Sequence, residues 1–376
     1  MKILQLIYES PGSPFGFGGA GVRACEIYSR LKDRHDITFL CMKYPGAEDT
    51  EIQGLKYIFG GTESPNLTKS VLAYTVKTMQ FVRNYGGDFD IIVENFLPMT
   101  PFFAKFFTST PVILQVQGVM ERHSLKKFSP LYFIPIYPVE RFYPLLYDRF
   151  IFVSDVTKKK VMAGRKGKLM IAPVISNGIG SELLKTTPED REYILFFSRL
   201  DIYTKGLDLL IDAFEMISPE YPYLRLILAG YEFDRYAELM SGRPSRLREK
   251  IEYAGFVTGD EKVQLLSGAK MFVLPSRHES LPISILEAAA CGKPVIVSDI
   301  PELAFVSREG FGFSFRSGSA KGLSDKMRLL LEDKKQRDDA GRRGREFAAQ
   351  FLWDNIAIQF EDVLKHVVAN SFRVVG

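Results

Sequence analysis

Two glutamates, Glu279 and Glu287, stand eight positions apart in the run Pro275-Ser276-Arg277-His278-Glu279-Ser280-Leu281-Pro282-Ile283-Ser284-Ile285-Leu286-Glu287-Ala288. An apolar, strand-like run precedes the first and a helical pattern carries the second. Glu279 therefore falls in a strand-to-helix loop and Glu287 about one turn inside the helix. Carboxylates accept hydrogen bonds from sugar hydroxyls, and backbone amides at a helix start hold phosphate. Glu287 lies between Leu286 and Ala288-Ala289-Ala290, and a carboxylate on so apolar a helix needs a partner or a ligand. The plainer reading is an acid near a helix start beside an ordinary surface glutamate.

Two cations stand earlier in the same half, in Ser198-Arg199-Leu200 and Thr204-Lys205-Gly206. Arg199 ends a predicted strand and Lys205 opens the next helix. Ligands of open α/β sheets bind at that carboxyl edge. Two fixed cations there suit a diphosphate, with arginine forking onto two oxygens; a pair of solvated surface charges is the alternative. A third candidate is Gly18-Gly19-Ala20-Gly21, between the first strand and the first helix, where glycine lets amides approach a phosphate. Its spacing is not G-x-G-x-x-G, so by itself it is equally a ligand-free loop. Asp88-Phe89-Asp90 reads as a D-x-D metal motif, but it leads into the strand Ile91–Val93 with Phe89 expected to pack inward, and no metal is expected there. The four histidines show no metal-ligand spacing; His278 adjoins Glu279.

These residues need elements to hold them, and the chain supplies strands and helices in alternation, twice over. In the first half apolar runs fall at Ile3–Tyr8, Ile37–Met42, Ile91–Glu94, Val112–Val116 and Phe150–Ser154. Helices are predicted at Ala20–Lys32, with Val22, Cys25, Tyr28 and Leu31 on one face, and at Val71–Asn84. In the second half strands are predicted at Tyr193–Ser198, Leu224–Ala229, Glu252–Ala254, Met271–Leu274, Val295–Ser298 and Gly312–Phe315. Helices there are predicted at Lys205–Ile217, Asp260–Ser267, Ile283–Ala290 and Ala320–Glu332. Short buried strands separated by helices imply an α/β fold with parallel sheets covered on both faces. The strand pattern pauses between Ile171 and Asp190, around the turn Asn177-Gly178. A last helix, Trp353–Ala369, carries Ile356, Ile358, Phe360, Val363, Leu364 and Val367. The domains expected are 1–175, 176–352 and a closing helix and tail, 353–376.

Length and composition agree with two domains: 376 residues, 46% hydrophobic and 25% charged, the profile of a globular chain with a sizeable core. No apolar run is long enough to span a bilayer; Leu131–Val139 is broken by Pro135 and Pro138. The first strand is too short and polar for a secretory leader. Cys25, Cys41 and Cys291, odd in number and widely spaced, suit a reducing cytoplasm. Residues 1–170 hold 22 Lys+Arg and 15 Asp+Glu, a net +7. The rest holds 27 and 30, a net −3. So mild a bias excludes nucleic acid as the expected partner and suits an anionic ligand or membrane surface. Residues 125–150 combine Lys126, Lys127, Arg141 and Arg149 with aromatics and prolines, near Phe102, Phe103, Phe106 and Phe107. That region is expected either to touch a membrane or lipid-linked acceptor, or to pack into its own domain.

The segment from Glu279 to Glu287 resembles the E-x7-E signature of retaining GT-B enzymes, and its surroundings, PSRHESLPISILEAAACGKPVIVSD, resemble glycosyltransferase family 4. GGAG, FVSDVTKKKV, ISNGI, FFSRL with the following KG, LILAG and EYAGFVTGDE match in the family's order, so the resemblance covers nearly the whole chain. It implies two Rossmann-like doubly wound domains facing a central cleft, with the closing helix crossing back to the N-terminal one. It implies a nucleotide-diphosphate sugar as donor substrate, no cofactor and no metal. By the family's pattern Arg199 and Lys205 grip the diphosphate, Glu287 takes the ribose hydroxyls and Glu279 the donor hexose. The Leu281-Pro282-Ile283 amides, with Gly19 and Gly21 of the facing domain, belong to the donor site and touch phosphate or sugar. Gln117 stands where the family commonly has a histidine, and with His123 forms the acceptor-side pair; glutamine can bond a hydroxyl but not titrate. The implied reaction is hexosyl transfer with retention to a hydroxyl of a glycan or lipid-linked acceptor.

Three rival readings remain. An oxidoreductase would need an acid at the end of the second strand, where Cys41-Met42-Lys43 stands. An epimerase or phosphorylase on the same scaffold would release free product without an acceptor. An inactive sugar-nucleotide-binding subunit would bind donor and turn nothing over. Base, sugar, acceptor and linkage are not readable from these motifs.

Overall fold

The computed structural model describes residues 1–119, 130–167, 169–231 and 233–371. It divides into two units, Met1–Asn177 joined by the closing helix Trp353–Ser371, and Gly178–Leu352.

The first unit holds β1 (Lys2–Leu6), β2 (Asp36–Met42), β3 (Thr50–Ile52), β4 (Leu55–Gly60), β5 (Ile91–Asn95), β6 (Val112–Val116) and β7 (Phe150–Phe152). They lie in the order β3-β4-β2-β1-β5-β6-β7, and every neighbouring pair is parallel except β3 with β4. Strands β5, β6 and β7 are buried along their whole length. That is why they read as mainly apolar runs, with Glu94, Asn95 and Gln115 as buried polar exceptions: parallel strands need crossover connections, and the helices of those connections cover both faces. The β3–β4 hairpin was not expected. It turns on Gln53 and Gly54, both at positive φ, the backbone that a two-residue hairpin loop requires. Asp90 of the D-x-D run accepts the Lys2 amide at 2.7 Å, tying the start of β1 to the start of β5.

The helix Gly19–Ser29 buries Gly21, Arg23, Ala24, Ile27 and Tyr28. The expected face was turned slightly: Tyr28 and Leu31 are buried, while Val22 and Cys25 are only partly so. The closing helix packs against it. Trp353, Ile356, Ala357, Phe360, Leu364 and Val367 are buried, and Phe360 meets Tyr28 edge to face at 5.7 Å. Ile358, expected on this face, is half exposed, because two residues along a helix is more than half a turn away from Ile356. Charges lock the contact: Arg30 pairs with Asp354 at 2.6 Å, and Glu361 meets His35 at 2.7 Å, Arg34 at 3.0 Å and Lys365 at 2.9 Å.

The second unit holds β8 (Tyr193–Phe197), β9 (Arg225–Ala229), β10 (Ile251–Gly255), β11 (Met271–Leu274), β12 (Val295–Ser298) and β13 (Gly312–Phe315). Their order is β10-β9-β8-β11-β12-β13, parallel throughout. This is the doubly wound arrangement in which the chain leaves the central strand toward one edge and then returns to build the other. The reversal lies between β8 and β11, and the crevice beyond their carboxyl ends is where such sheets take ligands.

Candidate active site

The loops that leave β8 and β11 carry Arg199, Lys205 and Glu279, so all three sit at that reversal. Lys205 Nζ lies 2.6 Å from Glu279 Oε1, and the same oxygen accepts Ser276 Oγ–H at 2.7 Å. Lysine and glutamate side chains are 15% and 6% exposed, and Ser276 is fully buried. A carboxylate so enclosed keeps its charge only with such partners. Arg199 is half exposed and reaches Asp201 Oδ2 at 3.4 Å. A long, exposed pair of this kind is weak and leaves the guanidinium available to an incoming anion.

Sequence reading missed the brace behind these groups. Arg277 forks onto Asp208 at 2.8 and 2.7 Å, donates to the Tyr203 carbonyl at 2.9 Å and lies over the Tyr203 ring at 4.9 Å. Its amide bonds the Thr204 carbonyl, and Asp201 Oδ1 accepts the Thr204 amide at 2.9 Å. The loop carrying Lys205 is thereby fastened to the loop carrying Glu279. Gly206 makes the approach possible: its φ is +69°, and a Cβ there would stand 2.1 Å from the Pro275 carbonyl oxygen. The Lys205-Gly206 pair showed that a glycine was present, but not what it faced.

Glu287 lies in the helix Ile283–Ala290, 7% exposed, with Oε1 2.8 Å from Lys262 Nζ. Lys262 belongs to the helix Gly259–Gly268. Pro282 caps the helix that carries Glu287. Having no N–H, it donates nothing, which corrects the expectation of three amides from Leu281-Pro282-Ile283. Leu281 and Ile283 are partly exposed on either side of it.

In the first unit Glu9 Oε2 accepts the Gly18 and Gly21 amides at 2.8 and 2.7 Å. A carboxylate of the chain itself thus occupies part of the glycine turn. A side chain at Gly21 would meet that oxygen at 2.7 Å and the Phe17 ring at 2.5 Å. Gly21 therefore serves the approach of Glu9, while Gly19 is exposed at the helix start. Gln117 Nε2 donates to Asn95 Oδ1 at 3.0 Å. His123, with Lys126 and Lys127, lies outside the described residues.

Two further buried groups in this unit carried no sequence signal. Arg23 donates to the Ser176 carbonyl and to Asn177 Oδ1, and burial lowers its pKa to about 9. Glu94, at the end of β5, takes the hydroxyls of Tyr143 and Tyr147, the latter at 2.6 Å, and the amides of Phe102 and Ala104. Burial raises its pKa to about 7, outweighing the four donors that favour the charged form. The folded protein therefore holds this proton to about pH 7, whereas an exposed carboxyl releases it near 4.5. The resulting stabilisation is complete below pH 4.5 and is lost as pH rises through 7. Thermal melts should show wild type losing on the order of 2–3 kcal/mol relative to Glu94→Gln between pH 5 and 8. Parallel melting curves across that range would refute this.

Comparison with known proteins agrees with the geometry. A family model described as Glycosyltransferase Family 4 matches residues 17–182, and one described as Glycosyl transferases group 1 matches 185–347. An uncharacterized glycosyltransferase of Methanocaldococcus jannaschii is 27% identical over 374 residues, 98% of this chain and 99% of that protein. Sucrose-phosphate synthase of Thermosynechococcus elongatus superposes with a TM-score of 0.81 at 18% identity, over 98% of this chain and 99% of that one. Anabaena HepE, solved in complex with UDP-glucose, superposes with a TM-score of 0.75 at 20% identity, over 97% and 100%. With both halves matched by the family's models and the fold shared end to end, the chain belongs to the glycosyltransferases of family 4 (glycosyl transferases group 1) and is a GT-B enzyme.

Proposed function

We propose that this glycosyltransferase moves a hexose from a nucleotide-diphosphate sugar to a hydroxyl of a glycan or lipid-linked acceptor, with retention and without a metal ion. The observation that carries the donor reading is the cluster of Lys205, Glu279 and Ser276 beside Arg199 at the strand-order reversal of the second unit. Breaking the anomeric bond builds negative charge on the leaving diphosphate. Arg199, Lys205 and the helix start after Pro282 stabilise that charge in the role that a divalent cation fills elsewhere. Glu279 holds hydroxyls of the hexose and Glu287 those of the ribose. The acceptor hydroxyl attacks from the face the diphosphate leaves, and the diphosphate oxygen takes its proton. Anabaena HepE, solved with UDP-glucose, supports a nucleotide sugar as donor.

A thermal-shift panel of UDP-, GDP- and ADP-sugars tests the donor. One base should raise the melting temperature in proportion to the logarithm of its concentration, and no response to any of them would remove the donor reading. Turnover in excess chelator should be unchanged; its loss would overturn metal independence.

The same reading places the enzyme peripherally on an anionic membrane, at the cytoplasmic face. Phe106, Phe142, Leu145, Leu146, Leu169 and Met170 are exposed. Three bonds knit them into one region: Lys105 to the Leu146 carbonyl, Arg165 to the Pro144 carbonyl and the Met170 amide to the Asp148 carbonyl. Residues 141–170 hold 8 Lys+Arg against 2 Asp+Glu, more net charge than the whole chain's +4. Apolar tips ringed by cations suit a bilayer carrying anionic headgroups. Among the described residues no helix is long and apolar enough to cross a membrane. Vesicles containing phosphatidylglycerol should carry the protein upward in a flotation gradient, and Leu145→Glu with Leu146→Glu should abolish this. Failure of the unmodified protein to float would refute the membrane reading.

A further inference from the structure

Glu94 takes no part in the donor reading, yet it ties down both segments that carry exposed apolar tips. Loop 102–107 gives it the amides of Phe102 and Ala104 and carries the exposed Phe106. The turn Tyr143–Leu146 gives it the Tyr143 hydroxyl, and Tyr147 adds its own at 2.6 Å; Phe142, Leu145 and Leu146 there are exposed. Tyr143 Oη also accepts the Phe103 amide at 2.7 Å. Phe103 stands at φ +53°, a left-handed backbone that a bulky residue adopts only under constraint. The loop is thus held in a strained form by a chain of hydrogen bonds that ends at one carboxyl group.

The surroundings of that group are otherwise apolar or turned elsewhere. Its strand neighbours are Leu6 on β1 and Leu114 on β6. Tyr74 faces it from the helix Leu67–Tyr85, with its hydroxyl on the Leu40 carbonyl at 2.7 Å. Lys105 bonds the Leu146 carbonyl, lies 5.6 Å from the Tyr147 ring and meets Asp148 at 4.0 Å. Arg165 bonds the Pro144 and Tyr147 carbonyls. Among the described residues no cation pairs with Glu94.

We propose that Glu94 is a proton-operated latch on the membrane-facing surface. Protonated, it holds loop 102–107 and the turn Tyr143–Leu146 closed; ionised, it lets them open and offer their aromatic side chains to the bilayer. This rests on the membrane reading above and supplies its regulation. Closed, the carboxyl keeps its proton to about pH 7; opened to water, it releases the proton near 4.5. Opening is therefore favoured about tenfold more for each pH unit from 5 to 7 and levels off above that. The strain at Phe103 favours opening at every pH, so removal of its hydrogen-bond partner should open the loop even when Glu94 is protonated.

Hydrogen exchange read by mass spectrometry, corrected for the intrinsic pH dependence of exchange, tests the latch without a membrane. Opening of segments 102–107 and 142–147 should grow about tenfold per unit from pH 5 to 7 in the unmodified protein and stay level in Glu94→Gln. Tyr143→Phe, which takes the acceptor away from the Phe103 amide, should open loop 102–107 at pH 5 as well. Flotation on vesicles containing phosphatidylglycerol tests the consequence. Between pH 5 and 7.5 the unmodified protein should gain about tenfold or more in vesicle affinity relative to Glu94→Gln at the same pH, a comparison that cancels the titration of every other group. Opening that is flat with pH, or that stays pH-dependent in Glu94→Gln, overturns the latch while the membrane reading stands. Opening that follows pH while vesicle affinity does not overturns the link to the bilayer. If the unmodified protein floats at no pH, the membrane reading fails and takes this regulation with it. Melting curves of each variant at pH 5, matched to the unmodified protein, guard against loss of fold.

Discussion

Lys205→Ala is expected to lower the transfer rate by about two to three orders of magnitude, the usual consequence of removing one fixed donor from a transition state that develops negative charge. It should also destabilise the protein. Lys205 and Glu279 form a nearly buried pair at 2.6 Å, and removing one member leaves the other's charge with Ser276 alone. Breaking such a pair costs about 3–5 kcal/mol. Arg199→Ala separates the two effects. Arg199 is half exposed and holds only a 3.4 Å contact to Asp201, so its loss should slow transfer comparably while leaving the melting temperature within a degree or two. Single-turnover rates with saturating donor, set beside melting curves, make the comparison. Near-normal rates in both variants would remove these residues from the diphosphate site and leave the cluster as a structural ion pair.

Gly206→Ala should be the most damaging single methyl group in the second unit's ligand loops. Its φ of +69° alone costs an alanine about 1–2 kcal/mol. The added Cβ would also stand 2.1 Å from the Pro275 carbonyl oxygen, so either the Lys205 loop or the Glu279 loop must move. Gly242→Ala is the matched control: its φ is +74°, and nothing lies within 4 Å of a Cβ there. The two variants share the backbone strain and differ in the collision. Gly206→Ala should therefore lose several-fold more stability and bind nucleoside diphosphate poorly, whereas Gly242→Ala should bind normally. Equal losses of stability would show that the Gly206 contact relaxes at no cost, and the tight fastening of the two loops would have to be abandoned.

Much of this architecture could be read from periodicity. Eleven of the thirteen strands fall on apolar runs recognisable in the sequence, because strands buried on both faces admit few polar residues. The two that escaped, β3 and β4, form a short edge hairpin: β3 is exposed throughout, and β4 buries only Leu55 and Tyr57. Helix faces were less secure. In the helix Gly19–Ser29 the buried side includes Arg23 and Ala24, which no hydrophobic pattern marks. In the closing helix one residue of phase separates the buried Ile356 and Ala357 from the exposed Ile358.

Motif spacing placed Arg199, Lys205, Glu279 and Glu287 near the carboxyl edge of one sheet, since spacing and local pattern report which residues follow which strand. Their partners lie far along the chain. Lys262 meets Glu287 across 25 residues, Arg277 meets Asp208 across 69 and Lys205 meets Glu279 across 74. Such pairings depend on which strands become neighbours, and β8 comes to lie beside β11 only when the whole parallel sheet has formed. Glu9 entering the glycine turn and Glu94 buried under two tyrosine hydroxyls are of the same kind. A carboxylate's residue type is a local fact. Its charge state, its partner and its capacity for a ligand are set by what surrounds it after folding, because desolvation and hydrogen bonding act through space.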